Sequence, residues 1–247
     1  MRCLVISDIH ANLAALQAVF TDVKTRGLSY DIVWCLGDVV GYGAEPNECI
    51  DLLRTVPHIC LAGNHDWAVI GKLDLHTFHE QAAYVVEWTQ EHITSQNMSF
   101  LRSRPDILPL DDYLLVHASP REPIWEYITD VNVAEENFDD MQASFCLVGH
   151  THVPVVFVRD GRTSNVHVSM PSVNVPVMLK RDSRYIINPG SVGQPRDGDP
   201  RAAFAILDTA TATWTAHRVE YPIKVTQALM RSFHFPLRLV ERLNYGR

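Results

Sequence analysis
The sequence predicts an α/β domain in which two β-sheets pack against each other with helices outside, and three observations carry that expectation. Over the first 70 residues, short apolar runs alternate with amphipathic stretches at the interval of right-handed βαβ units, which implies parallel strands. From Pro154 onward apolar runs follow one another without helices between them, and Asp160-Gly161 marks a hairpin. No repeat, low-complexity tract or linker divides the chain, so one domain is expected over residues 1–247, with a helical tail from about 223.

Each element has its own signal. Residues 3–7 form a short apolar run, as in a strand buried on both faces. Leu13, Leu16, Val19, Phe20 and Val23 then recur at helical spacing, and Gly27 ends that helix. Residues 32–36 read as a second strand, 45–55 as a helix with Pro46 tolerated in its first turn, and 58–62 as a third strand. A longer helical region is expected over about 76–96, followed by strands at 113–117 and 145–148. Residues 155–159 and 163–168 form the arms of the hairpin, and 185–188, 202–207 and 213–219 continue the strand-rich half. Residues 225–243 read as helix broken at Pro236, which either docks on the body or forms a subunit contact in a homo-oligomer.

Composition narrows the function classes. Hydrophobic residues make up 47% of the chain, enough for a sizeable core. With 29 acidic against 21 basic residues the net charge is −8, so the basic stripe of a nucleic-acid binder is missing and no stable nucleic-acid binding is expected. Small phosphate esters stay open, because bound metals reverse the local sign of a site. The five cysteines are odd in number and contain no CxxC pair, which points to a reducing compartment without a disulfide framework. With no signal-peptide pattern and no stretch of membrane-spanning length, the expectation is a cytoplasmic protein without membrane contact.

The chemistry lies where the strands end. Asp8 and His10 follow the first strand, Asp38 the second, and Asn64 and His65 the third; His117 ends the strand after them, and His150 and His152 follow residues 145–148. Ligand sites of open α/β sheets lie at the carboxyl ends of strands, so five strand ends deliver carboxylates, imidazoles and one carboxamide to a single rim. Oxygen and nitrogen donors together suit manganese, iron, zinc or nickel, and the lack of thiolates argues against a structural zinc site. The donors are too many for one ion with open positions and enough for two that share a carboxylate, an arrangement that generates hydroxide at neutral pH. Any one of these histidines alone would read as a packed or surface residue. The matched set is the signal.

In order, Asp8-x-His10, Gly37-Asp38-x-x-Gly41, Gly63-Asn64-His65-Asp66, His117 and Gly149-His150-x-His152 resemble the five motif blocks of the calcineurin-like metallophosphoesterase superfamily. The segment Asn188-Pro189-Gly190-Ser191-Val192-Gly193 extends the similarity to its small YfcE-like bacterial and archaeal phosphodiesterases. The resemblance covers most of the chain to about residue 207. It implies a four-layer α/β/β/α sandwich of two mixed sheets flanked by helices. It also implies a two-metal phosphoesterase that hydrolyses small phosphate diesters by attack of a metal-bridging hydroxide. The alternatives are a phosphatase for a small phosphorylated metabolite or nucleotide and, further off, a non-catalytic metal-binding module.

Carried over residue by residue, the resemblance gives one metal to Asp8, His10, Asp38 and His152 and the other to Asp38, Asn64, His117 and His150, so that Asp38 bridges. Manganese is expected first, with iron, zinc or nickel as the other choices. His65 would stand near the leaving group as general acid or transition-state stabiliser, which makes His65, Asn64 and Asp38 the catalytic set. The protein phosphatases and symmetrical dinucleoside tetraphosphatases of the superfamily carry Gly-Asp-x-Val-Asp-Arg-Gly in the second block. Here Gly41 and Tyr42 replace the Asp that orients the histidine and the Arg that binds phosphate, which argues against phosphoprotein substrates.

Four further residues have two readings each. Asn12 caps the helix beginning at Leu13 or lies near substrate, the cap being favoured. Arg196 belongs to a sharp turn or reaches substrate phosphate, the turn being favoured. Trp125 and Tyr127 stack on a base or cap the mouth of the site, or else pack under a loop.

Overall fold
In β1 (Arg2–Ile6) the side chains alternate between two separate cores. Cys3 and Val5 join one cluster and Leu4 and Ile6 another, and all four are fully buried. The computed structural model describes residues 1–247, and the same parity organises all of it. After β1 come α1 (Leu13–Thr25), β2 (Ile32–Cys35), α2 (Pro46–Arg54), β3 (His58–Cys60) and α3 (Asn64–Val69). Then follow α4 (Glu80–His92), α5 (Ser95–Arg102), β4 (Ile107–Leu110), β5 (Tyr113–Val116), α6 (Val131–Asp140) and β6 (Phe145–Leu147). The rest is β7 (Val155–Arg159), β8 (Val166–Ser169), β9 (Pro176–Met178), β10 (Arg184–Asn188), β11 (Ala202–Asp208), β12 (Thr213–Val219), α7 (Ile223–Ser232) and α8 (Leu237–Arg242).

The strands form two six-stranded mixed sheets, ordered β3-β2-β1-β11-β12-β9 and β4-β5-β6-β10-β7-β8. The N-terminal βαβ units give the parallel trio β3-β2-β1, and antiparallel β11, β12 and β9 complete that sheet. Between the sheets lies a core that includes Val5, Trp34, Leu36, Phe145, Leu147, Ile187 and Trp214. The outer face of the first sheet packs on α1, α2 and their neighbours, and that of the second on α6 through Ala134 and Phe138. The layers therefore run α/β/β/α, as the sequence implies. No helix is long and apolar enough to cross a membrane.

Two expectations need correcting. The long helix over 76–96 is a 3₁₀ turn at Leu75–Thr77 followed by α4, with α5 starting separately because the Thr94 hydroxyl caps it through Asn97 N at 3.2 Å. The hairpin at Asp160 forms, but with a longer loop: the Asp160 carboxylate accepts from Arg162 N and Thr163 N, each at 2.9 Å, so strand pairing resumes only at Val166. The segment 64–69 is helix from Asn64, with Asp66 in its first turn accepting from Gly63 N at 2.9 Å. The tail forms two helices that meet at Pro236 and dock through Met230, Phe235, Leu239 and Val240 against Val85 of α4.

Candidate metal centre
The loops at the rim hold an unusual backbone. Seven of the twelve non-glycine residues with positive φ are Asp8, His10, Ala11, Asp38, Tyr42, His150 and His152. The left-handed region costs an L-residue about 1–2 kcal/mol and persists only where the surroundings fix it. Here hydrogen bonds lace the loops together. Asp8 N donates to Gly37 O at 3.1 Å and His10 N to Asp38 O at 3.0 Å. Asp8 O accepts from Gly193 N at 2.9 Å and Ser191 Oγ at 2.8 Å, and the Asn188 amide donates to Gly149 O at 2.6 Å. The segment 188–193 thus buttresses the rim from below. Gly63 permits a close approach: a Cβ there would lie 2.1 Å from Asp38 Oδ1, the oxygen that accepts from His65 N at 2.9 Å.

All eight side chains expected at the rim meet there, none more than 4% exposed. Donor atoms of Asp8, His10 and His152 lie within 4.8 Å of one another, as do those of Asp38, His117 and His150, and His10, Asp38 and His65 form a third group that joins the two. The Asp38 Oδ2 oxygen is 3.7 Å from His10 Nε2 and 3.4 Å from His117 Nε2, which places it between the clusters. Asn64 Oδ1 is 3.2 Å from His117 Nε2.

This donor set fits cations. His10, His117 and His152 donate through Nδ1 to the carbonyls of Val40 (3.1 Å), Leu36 (2.8 Å) and Gln194 (2.6 Å), which turns each Nε2 lone pair inward. Nε2 of His10 and of His152 are then 3.1 Å apart, with Asp8 Oδ1 3.3 Å from the latter. His150 donates through Nε2 to the Trp125 carbonyl at 3.2 Å, which leaves Nδ1 as its free nitrogen. Facing lone pairs of this kind repel unless positive charge lies between them.

The protonation pattern agrees. Burial would raise the carboxyls of Asp8 and Asp38, but His152 beside the first and His117 beside the second outweigh it and hold both below the usual range. Burial lowers His10 and His152, brings His65 to about 4 with the Arg196 charge adding to it, and brings His150 to about 3. His117 moves the other way: burial would lower it, but the Asp38 carboxylate and its hydrogen bond raise it to about 9. A proton on His117 and a cation beside Asp38 compete for the same place.

The two substrate candidates separate. Asn12 is 2% exposed and its amide is fully engaged: Oδ1 caps α1 through Ala15 N and accepts from Thr226 Oγ1, and Nδ2 donates to Gly193 O. Arg196 reaches the mouth, a cleft of about 280 Å³ that also exposes Asp38, His65, Phe78, Trp125 and Tyr127. Tyr127 stacks on His150 with ring centroids 3.9 Å apart, and Phe78 meets the edge of His65 at 5.3 Å. Tyr42 and Phe78 were missed as contributors by the sequence reasoning. The Asp66 carboxylate accepts from the amides of Gly63, Val39 and Val40, which ties the loop after β2 to α3, and burial next to Asp38 raises it to about 7.

Residues 1–212 match the calcineurin-like phosphoesterase superfamily domain, and the chain belongs to that family. It is a metal-dependent phosphoric ester hydrolase. A metallophosphoesterase from Sphaerobacter thermophilus shares 45% identity and a TM-score of 0.89, over 100% of this chain and 99% of that one. An uncharacterized protein from Methanocaldococcus jannaschii is 40% identical over 98% of this chain and 97% of its own length. A hypothetical protein from Pyrococcus horikoshii OT3, at 20% identity and a TM-score of 0.80 over 100% and 98% of the two chains, has the same fold.

Proposed function
We propose that this protein is a phosphodiesterase for small phosphate diesters that works with two divalent cations, manganese being the best match to its mixed oxygen and nitrogen donors. The observation that carries the reading is the pair of carboxylate–imidazole clusters joined at Asp38, with the imidazoles held from behind by main-chain carbonyls. Asp8, His10, Asp38 and His152 would hold one cation, and Asp38, Asn64, His117 and His150 the other. Bound there, the cations supply Lewis acidity and a water acidic enough to attack at neutral pH. Asp38 and Asn64 fix the spacing of the two positions, and the aromatic walls of the cleft exclude bulk water. His65 stands at the open side, where its imidazole serves the leaving oxygen. The diester preference rests on Gly41 and Tyr42, since the charged pair found there in the phosphoprotein branch is replaced.

The test is to strip the protein of metal and titrate manganese while following hydrolysis of bis-p-nitrophenyl phosphate beside p-nitrophenyl phosphate. Metal-dependent turnover favouring the diester is expected, with kcat falling at least about 100-fold in Asp38→Asn and in His65→Ala. Preference for the monoester would make the protein a phosphatase, and variants that keep most of their activity would overturn the residue roles. No turnover with manganese, nickel or iron restored would leave a metal-binding module.

A further inference from the structure
Next to the mouth of the centre the cleft opens into a second lobe of about 460 Å³. Tyr42, His79, Tyr127 and Arg196 line both, so the two form one continuous space. The far wall comes from the C-terminal tail, beyond the residues matched by the family domain: Arg238 and Arg242 stand one turn apart on α8 and face into the lobe with Arg196. Arg196 lies over the Tyr42 ring at 5.8 Å, and that ring is 4.4 Å from the ring of His65, so the arginine-lined lobe borders the centre.

No Asp or Glu side chain pairs with these three guanidiniums. Arg121, Arg159, Arg201, Arg218 and Arg231 each pair with such a side chain, whereas Arg196, Arg238 and Arg242 do not. Arg196 Nη2 donates to Gln194 Oε1 at 3.2 Å while its buried Nε has no partner, and Arg242 Nε donates to a main-chain oxygen of Arg247, the last residue described. Glu80 is the one carboxylate in the lining. Burial, with the Arg196 charge next and Arg238 after it, brings Arg242 down to about 10. Arg196, Arg238 and Arg242, with one acidic side chain at the rim and on a chain of net charge −8, form a local positive field that suits an anion. The planar forks suit tetrahedral oxyanions, and a doubly charged phosphate balances the three better than a single carboxylate does.

We infer that the lobe binds a second phosphoryl group, so that the natural substrate is a small ester with at least two phosphates: one hydrolysed beside Asp38 and His65, the other held by Arg196, Arg238 and Arg242. This rests on the hydrolytic reading above and deepens it. Arg238 and Arg242 then determine specificity.

Manganese-loaded protein titrated calorimetrically with thymidine 3′,5′-bisphosphate and thymidine 5′-monophosphate tests the inference by binding. The p-nitrophenyl esters of the 5′-phosphate, with and without the 3′-phosphate, test it by turnover. The wild type should favour the doubly phosphorylated member of each pair at least about tenfold. R238Q/R242Q should bring both ratios close to one, R238K/R242K should keep part of the preference, and R238Q alone, at an exposed position, should lower it even if the double variant unfolds. Equal affinity in the wild type, or a preference that survives in R238Q with an unchanged melting curve, would overturn the inference. Tighter bisphosphate binding with no hydrolysis of either ester would support the lobe and defeat the hydrolytic reading.

Discussion
At position 41 an absent side chain determines how the neighbouring histidine is held. A Cβ on Gly41 would lie 2.5 Å from His65 Nδ1, and its φ of +88° is itself a glycine conformation. Nothing can stand behind the ring, so Nδ1 is buried without a hydrogen bond. The orientation of His65 comes instead from rings packed around it: Tyr42 at 4.4 Å, His10 at 4.9 Å and Phe78 at 5.3 Å between centroids. Each such contact contributes about 0.5–1.5 kcal/mol beyond its buried area, so together they can replace one hydrogen bond. Gly41→Ala should therefore push the ring aside. Loss of roughly 100-fold in kcat is expected, with bound metal per chain unchanged. Full activity, measured alongside metal content by atomic emission, would show that the ring's position does not matter. The strain of the rim loops was invisible in the sequence, because left-handed backbone at Asp8, His10 and Asp38 is imposed by partners far along the chain, such as Ser191 and Gly193.

Among the elements, α6 is the sole helix packed on the outer face of the second sheet, and it went unpredicted. Its sequence, VNVAEENFDD, buries only Ala134, Asn137 and Phe138, too few apolar positions to show a stripe; the Asp130 cap was the better clue, accepting from Asn132 N at 2.8 Å and Val133 N at 3.2 Å. Phe138 is fully buried against Cys146, Phe157 and Ile186, so Phe138→Ala should cost about 3–5 kcal/mol in a urea unfolding experiment. A loss under 1 kcal/mol would mean the helix is dispensable to the sheet. Strands β4 and β9 were missed because Pro109 and Pro176 interrupt them, and both lie at sheet edges where a missing amide is tolerated. The strands and helices of the first 70 residues were legible because each carries its period within its own few residues, and the strand-end motifs follow from them. The nearness of Arg238 and Arg242 to the cleft was not. It depends on packing of Phe235 and Leu239 against α4, a contact between segments about 150 residues apart.

For the molecule as a whole, buried histidine sets a pH dependence away from the centre. His217 on β12 stacks on Phe204 at 5.1 Å and lies 2.7 Å from Asn174 Oδ1, and burial, with the Arg26 charge adding to it, lowers its pKa to about 4. The unfolded chain takes up a proton near the ordinary value of 6.5, and the folded one does so only near 4. Between those values the unfolded state binds more protons, so stability falls as pH drops from about 6.5 toward 4. His217→Gln should flatten the slope of urea midpoint against pH over that interval, and an identical slope would assign the acid sensitivity elsewhere. The order in which the sheet is assembled has a consequence for synthesis. β1 lies in the middle of its sheet, yet its neighbour β11 is separated from it by some 200 residues, and the loop of Asp8 is pinned by Ser191 and Gly193. At about 5–20 residues per second, β1 waits with one edge open for roughly 10–40 s after it is made. During that interval the nascent chain has no finished rim, because Ser191 and Gly193, which pin the Asp8 loop, are made only near its end.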